Sequence, residues 1–277
     1  MTTHITAETG WLHWDLRGLW KHRELVRLFA KKSLTVTYKQ TVLGPLWLIV
    51  NPLLSSFVYM ILFGRIANLG TEGIPQFLFY LSGTALWTFF STCLTANGTI
   101  FLSNANLFGK VYFPRLTVPA ANCVTALVKL GVQLIPVIIL LVYHIVTGVV
   151  SPRPVWLLLL PFCLVQTGLL GMGCGLILSS ITARYRDVSS LVPIGTQLWM
   201  YATPVVYPLS RLPSGIIRRT VLINPVTMCM EVYRRALFGI GQIEWRYLFC
   251  SWGITAVILF AGLLLFSHVE RTFLDTV

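Results

Sequence analysis

Residues 155–182 have the sequence VWLLLLPFCLVQTGLLGMGCGLILSSIT, which contains no Asp, Glu, Lys or Arg. A helix that crosses the hydrocarbon core of a bilayer needs about 20 apolar residues in a row, and this run is longer than that. The whole chain has the same character, because hydrophobic residues make up 56% of its 277 residues and charged residues only 11%. A soluble domain carries about 25% charged residues. The sequence therefore predicts an all-α membrane protein.

Six apolar runs predict six transmembrane helices in a single domain that covers 1–277. Five of them lie within 45–209, and the predicted spans are 45–66, 77–99, 117–147, 155–182, 188–209 and 246–267. Residues 211–245 are also apolar, but Pro and Gly residues interrupt them and several of their side chains are charged. For this stretch we predict two short helices, separated at Asn224-Pro225, that form a re-entrant or interfacial hairpin.

Residues 11–39 predict an amphipathic helix at the membrane interface. Tryptophans and aliphatic residues alternate there with many cations, as in helices that lie in the headgroup plane; a solvated basic tail is the alternative. A net charge of +12 and the excess of Lys and Arg before the first span favour cytoplasmic N- and C-termini. The cations expected to meet lipid headgroups are Arg23, Arg27, Lys31, Lys32 and Lys39.

Motifs of enzymatic chemistry are missing from the sequence. It has no GxxxxGK[ST] phosphate-binding loop, no HExxH zinc motif and no GxSxG nucleophile motif, and its six cysteines form no CxxC pair. We therefore predict no catalytic residue, no metal site and no cofactor in this chain. A conduit fits these features better than a catalyst.

Three stretches carry a resemblance to a known family. They are YKQTVLGPLWLIVNPLL at 38–54, ARYRDVSSLVPIGTQLWMYATPVVYP at 183–208 and LINPVTMCMEVYRRALFG at 222–239. In this combination the chain resembles the permease subunit of ABC-2 type exporters of lipid-linked polysaccharides, a group that includes O-antigen, teichoic acid and capsule transporters. The resemblance covers about 20–270. The chain departs from the family pattern at Thr203, where Ser is expected, and at Arg235, where Asp is common.

The resemblance implies a homodimer in the bacterial cytoplasmic membrane. Two copies of a separate ABC ATPase subunit would bind ATP and Mg, and an undecaprenyl-type lipid-linked polysaccharide would be the substrate. It also implies a cytoplasmic coupling helix within 103–116 and extracytoplasmic gate helices within 211–245. No partnership with nucleic acid is expected.

Two groups of polar residues receive roles from the resemblance. The group expected to couple to the ATPase is Asn106, Lys110, Tyr112, Arg115, Arg184, Arg186 and Asp187; from the residues alone, an ordinary capped loop is the favoured interpretation of 103–116, and a positive-inside anchor is an equal alternative for Arg184 and Arg186. The group expected in the gate is Arg218, Arg219, Glu231, Arg234 and Arg235. Within it, Glu231 has the helical spacing to pair with Arg234 or Arg235, and contact with a lipid pyrophosphate is the alternative.

Aromatic residues are candidates for the substrate path, because sugar rings present apolar C–H faces that pack on aromatic rings. An aromatic belt at the membrane interface is the alternative. The candidates are Trp87, Phe89, Phe90, Trp199, Tyr201 and Tyr207. Lys129 and Gln133, one helical turn apart, predict either a functional site within the membrane or a lysine that extends to the interface.

Two other functions stay open at this point. One is an ABC-2 permease that exports a drug or a small lipid. The other is an intramembrane lipid-processing enzyme, which would need clustered polar catalytic groups.

Overall fold

The computed structural model describes residues 16–39, 41–108, 113–152 and 154–276, and this part of the chain is helical, without strands. A 3₁₀ turn, Gly44–Leu46, precedes α3, and a π-helical segment, Met60–Ile66, extends it. The helices are α1 Leu16–Lys21, α2 Arg23–Tyr38, α3 Trp47–Tyr59, α4 Gln76–Gly98, α5 Ile100–Phe108, α6 Thr117–Val146, α7 Pro154–Leu157, α8 Leu160–Arg184, α9 Val188–Tyr201, α10 Ile216–Ile223, α11 Pro225–Phe238 and α12 Trp245–Thr276.

Five helical segments are long and apolar enough to cross a membrane. They lie where the apolar runs at 45–66, 77–99, 117–147, 155–182 and 246–267 predicted spans. Their bounds are Gly44–Ile66, Gln76–Gly98, Thr117–Val146, Pro154–Arg184 and Trp245–Glu270.

The sixth predicted span, 188–209, is only partly helical. Helix α9 has 14 residues, which at about 1.5 Å per residue cover about 21 Å, less than the roughly 30 Å of a bilayer core. Residues 202–208 then form turns and irregular backbone. The six-span layout therefore stays a prediction at this segment.

Helix α4 lies at the centre of the bundle and packs against α3, α6, α8 and α9. Glycines of α8 allow its close approach: a Cβ on Gly175 would lie 2.6 Å from the Cβ of Asn97 and 2.7 Å from the carbonyl oxygen of Leu94. Helix α12 packs against the opposite side of α8, where a Cβ on Gly173 would lie 2.8 Å from the Cα of Leu259. Small residues thus set the spacing of the three helices, as is common in membrane proteins.

The stretch 211–245 forms two short helices, α10 and α11, as predicted. The break falls at Asn224-Pro225, where the Asn224 side chain caps α11 by accepting a hydrogen bond from the Val226 N–H at 3.2 Å. Helix α11 ends at Gly239, whose φ of 75° is in the left-handed region that glycine adopts without strain.

The N-terminal amphipathic segment forms α1 and α2, and residues 11–15 lie outside the described residues. Helix α2 packs against α6, and Phe29 contacts Phe113 with ring centroids 5.6 Å apart. Its apolar side is thus partly covered by protein. The cations predicted to meet headgroups are all exposed at its surface.

Candidate functional site

A cleft of about 640 Å³ opens between α3 and α9. Helix α4 forms its base, and α2 and α6 contribute to one end. Its lining comprises Thr37, Tyr38, Thr41, Trp47, Leu48, Asn51, Pro52, Ser55, Tyr59, Thr84, Trp87, Thr88, Ser91, Thr92, Thr95, Lys129, Gln133, Pro193, Thr196, Gln197 and Met200. The distance along α3 from Trp47 to Tyr59 is about 18 Å, so the cleft runs through much of the bilayer thickness.

Hydroxyl groups dominate the lining of the cleft. Helix α4 alone presents Thr84, Thr88, Ser91, Thr92 and Thr95, a spacing that places them on one helical face. Several of these hydroxyls donate to carbonyls of their own helix; Thr95 Oγ1, for example, donates to Ser91 O at 2.8 Å. Their oxygen lone pairs are then available to accept hydrogen bonds. The cleft therefore offers acceptors to a ligand that carries many donors.

The sequence contains a periodic pattern that indicates this hydroxyl-bearing face of α4, although the aromatic residues of the same run are more conspicuous. Hydroxyl residues recur in 84–95 at intervals of three and four, the helical period. Their side chains all face one groove, which Trp87 also lines, whereas Phe89 and Phe90 fill the core. Hydroxyl periodicity within the second apolar run would have identified the base of the cleft.

The three predicted substrate-path aromatics of α4 separate in the structure. Trp87 lines the cleft. Phe90 is fully buried, with its ring centroid 5.1 Å from that of Trp199, and Phe89 is buried against α8, where Gly168 leaves room for its ring. In the protomer Phe89 and Phe90 are core residues, because large rings on the inner faces of α4 fill the space between helices. Their assignment to the substrate path would require the core to open.

The end of the cleft near the hairpin is narrow. Tyr59 donates a hydrogen bond across it to the sulfur of Met200 at 3.8 Å. Tyr201 follows Met200 and is largely exposed, and its carbonyl accepts a hydrogen bond from the Tyr207 hydroxyl at 3.3 Å. The predicted aromatics Tyr201 and Tyr207 thus lie beyond this constriction, whereas Trp199 packs in the core.

The other end of the cleft holds a cation. The Lys129 ammonium lies 6.0 Å from the centroid of the Tyr38 ring, and no Asp or Glu is among the lining residues that the structure describes. Gln133, one turn further along α6, is 5% exposed, and its Oε1 has no hydrogen-bond partner among the described residues. Lys129 and Gln133 both line this cavity, as expected for residues that are one helical turn apart.

Glu231 and Arg234, two of the residues predicted for the gate, form a buried ion pair, so the predicted pairing is present. The closest nitrogen–oxygen distance is 3.6 Å, and the two residues are 2% and 1% exposed. Burial raises the pKa of the Glu231 carboxyl, and the Arg234 guanidinium opposes this shift. The Gln242 N–H donates to Glu231 Oε2 at 2.7 Å. This pair stabilises the hairpin and lies out of reach of a large ligand.

Arg234 also connects the hairpin to the irregular segment after α9. Its guanidinium donates to the carbonyls of Val205 at 2.9 Å and Tyr207 at 3.4 Å and lies 3.9 Å above the Phe79 ring. Nearby, Asn224 Nδ2 donates to the Thr203 hydroxyl at 2.8 Å. Thr at 203 therefore supplies the same acceptor that Ser would. We call this set of contacts the hairpin latch.

The other arginines predicted for the gate lie at the edge of the hairpin. Arg218 donates to Gln242 Oε1 at 2.6 Å and lies 3.9 Å from Glu244. Arg235 donates to Gly241 O at 3.0 Å and stacks 5.1 Å above the Trp156 ring, so it contributes hydrogen bonding instead of an ion pair. Arg219 is exposed.

The residues predicted to couple to an ATPase are only partly described. Lys110 and Tyr112 lie outside the described residues, as does the side chain of Asn106. Arg115 joins the start of α6 to α12: its guanidinium donates to Glu270 O at 2.6 Å and lies 3.5 Å from the Glu270 carboxylate. Asn104, near the start of the segment 103–116, lies at a kink inside α5 and donates to Ile100 O at 3.0 Å.

The 184–188 loop presents its charges to solvent. Arg184, Arg186 and Asp187 are exposed, and the Arg184 guanidinium lies 5.5 Å from the Tyr185 ring. Asp187 precedes α9 without a side-chain capping hydrogen bond. An exposed loop of this kind is available to a partner protein.

Comparison with known proteins gives a consistent family. A family model described as ABC-2 type transporter matches residues 24–238. An O-antigen export system permease protein RfbA from Klebsiella pneumoniae is 27% identical over 253 residues, 91% of this chain and 94% of the relative, and a second from the same species is 25% identical over the same shares. The protein of that name from Myxococcus xanthus is 26% identical over 264 residues, 95% of this chain and 98% of the relative.

Proposed function

Because this chain belongs to the ABC-2 type transporter family, we propose that it is the permease subunit of an exporter of lipid-linked polysaccharide of the O-antigen kind. ATP hydrolysis in a separate nucleotide-binding subunit drives the transport, and the membrane is the bacterial cytoplasmic membrane. Similarity to O-antigen export permeases over more than nine-tenths of the chain supports this substrate class.

The observation that carries the proposal is the hydroxyl-lined cleft. Binding sites for drug-sized molecules are lined mainly by apolar and aromatic side chains with few polar groups. This cleft combines a ladder of Thr and Ser with Trp47, Tyr59 and Trp87. Sugar hydroxyls can donate to the threonine oxygens while sugar C–H faces pack on the rings, so a glycan can slide without one tight binding position. An exporter of an apolar drug would not need such a lining.

A homodimer would complete the channel. Asn51 and Ser55 are exposed on the α3 rim of the cleft, and polar groups that face lipid tails are costly. The neighbouring surface of α9 is apolar, with Leu191, Ile194 and Leu198 exposed. A second copy that covers these two helices would hide both features, and two facing clefts would enclose one path.

The charged segments outside the cleft fit the remaining roles. Exposed cations on α2 attract the anionic headgroup of the lipid carrier beside the end of the cleft that holds Tyr38. The exposed loop at 184–188 and the segment 103–116 would contact the ATPase. Arg115, which is tied to Glu270, would transmit movement of that segment to α12 instead of contacting the ATPase itself.

Deletion of the gene in its native bacterium tests the proposal. We expect surface polysaccharide to be lost and lipid-linked polymer to accumulate on the cytoplasmic side of the membrane. A wild-type copy of the gene should restore export in this strain. The same copy should not restore export in a strain that also lacks the gene of the ATPase subunit. Normal surface glycan in the deletion strain, together with sensitivity to a drug, would favour a drug exporter instead.

A further inference from the structure

A lysine without a counter-ion lies at the end of the cleft where α2, α3 and α6 meet. Lys129 contributes an ammonium group to the cavity, and the lining residues that the structure describes supply no carboxylate to balance it. A charged side chain within a membrane segment is costly and is usually paired or functional. The nearest aromatic group, the Tyr38 ring at 6.0 Å, gives weak cation–π stabilisation at that distance and leaves the ammonium donors available to a ligand.

Gln133 places a second, independent requirement on the ligand, which must carry a hydrogen-bond donor. Its Oε1 atom is buried without a hydrogen-bond donor in the described part of the chain, and a buried acceptor without a partner costs about 1–3 kcal/mol. Gln133 lines the same cavity as Lys129. A ligand that satisfies both must present an anionic group to the lysine and a donor, such as a hydroxyl, one helical turn away.

The other residues at this end of the cleft restrict the chemical class of the ligand further. Thr37 and Thr41 lie at the same end of the cleft, and both hydroxyls donate to backbone carbonyls, Thr37 to Ser33 O and Thr41 to Tyr38 O. Their oxygens can therefore accept but have no proton to spare for the ligand. Burial raises the pKa of the Tyr38 phenol, which keeps its proton. Lys129 is thus the charged donor to an anion here, the protonated Tyr38 hydroxyl can donate a second hydrogen bond to it, and the threonine oxygens favour hydroxyls.

From these contacts we infer that Lys129 and Gln133 form a subsite for a glycosyl phosphate, with Lys129 binding the phosphate oxygens and Gln133 Oε1 accepting from a hydroxyl of the adjoining sugar. This deepens the proposed function and rests on it, since a lipid-linked glycan has this junction where the carrier joins the first sugar. These two contacts would also distinguish the lipid-linked glycan from other lipids and from neutral glycans. A phospholipid headgroup without a sugar would leave Gln133 unsatisfied, and a neutral glycan would leave Lys129 unsatisfied.

Binding to the purified permease–ATPase complex in nanodiscs tests the inference. The probes are farnesyl diphosphate linked to N-acetylglucosamine, farnesyl diphosphate alone and inorganic pyrophosphate, each titrated by microscale thermophoresis. Lys129→Gln should weaken binding of both farnesyl probes about tenfold or more, because a charge-assisted hydrogen bond is lost, and Lys129→Arg should restore most of it. Gln133→Leu should weaken binding of the sugar-bearing probe only.

The controls separate this inference from the proposed function. Lys21→Gln removes a lysine from an exposed position outside the cleft and should leave all three affinities unchanged. If the wild-type complex binds neither farnesyl probe, the proposed function fails with the inference. If it binds both probes and Lys129→Gln binds them as tightly, only the subsite is wrong. Equal effects of Gln133→Leu on both probes would overturn the contact with the sugar, and tight binding of pyrophosphate alone would identify a free anion as the ligand.

Discussion

Two regions of the molecule place a charged side chain inside an apolar protein, and they differ in the partners that surround this charge. In the hairpin latch, Arg234 meets Glu231, two carbonyl oxygens and an aromatic ring, and is 1% exposed. In the cleft, Lys129 has a tyrosine ring 6.0 Å away and open space. A charge that meets a counter-ion and backbone carbonyls serves the fold, although Arg234 Nε and Glu231 Oε1 have no hydrogen-bond partner among the described residues. A charge that faces a cavity without a counter-ion is available to a ligand.

The largest expected effect on stability comes from breaking the latch. Arg234→Met removes an ion pair and two hydrogen bonds and leaves the Glu231 carboxylate buried without compensation. We expect a loss of about 3–5 kcal/mol, visible as lower yield and a lower melting temperature in detergent. Arg219→Met, an exposed neighbour on α10, is the matched control and should change stability by less than about 0.5 kcal/mol. If both variants melted alike, Arg234 would not hold the hairpin.

A second substitution compares the packed core with the open rim of the cleft. Gly175→Ala would place a Cβ 2.6 Å from Asn97 and 2.7 Å from a backbone oxygen, so α4 and α8 must separate. Overpacking of this kind costs about 1–3 kcal/mol. Gly195→Ala on α9, with nothing within 4 Å of the added Cβ, should be neutral or slightly stabilising. Thermal unfolding of the two variants, measured side by side, checks the difference; a destabilised Gly195→Ala would show that another surface, such as the proposed second copy, packs on α9.

The smallest of the stability effects concerns the junction of α9 with the hairpin. Asn224→Ala removes the cap of α11 and the hydrogen bond to the Thr203 hydroxyl. Loss of a helix cap costs about 1 kcal/mol. Thr203→Ser keeps the hydroxyl and should be close to wild type, while Thr203→Val should lose part of what Asn224→Ala loses. Additive losses in the Asn224→Ala/Thr203→Val double variant would contradict the contact, since coupled partners are not additive.

The sequence predicts most of the fold because long apolar runs have few structural options in a bilayer. Five runs became helices of spanning length, and the helix break at Asn224-Pro225 fell where proline and an N-cap residue placed it. Helix α9 was harder to predict, since the apolar pattern continues to 209 while the helix ends at Tyr201. The segment 203–207 that follows is held by tertiary contacts to Asn224 and Arg234.

The cleft was less predictable for a different reason. Apolarity distinguishes membrane from water, but it does not distinguish the inside of a bundle from a groove on its surface. Phe89 and Phe90 therefore resembled pore residues in sequence, although the structure buries them. Whether Lys129 is paired depends on which helices surround it, and nothing in residues 117–147 alone reports that.

The most direct test of the central claim is a photocrosslinking measurement at the base of the cleft. Benzoylphenylalanine replaces Thr92 in the native permease–ATPase complex, export is arrested by blocking ATP hydrolysis, and the illuminated complex is probed for attached polysaccharide. The matched control places the same group at Val165, an exposed position on α8 outside the cleft. We predict a glycan-bearing adduct at 92 and none at 165. Equal labelling at both positions, or labelling at 165 alone, would contradict the assignment of the cleft as the path of the glycan.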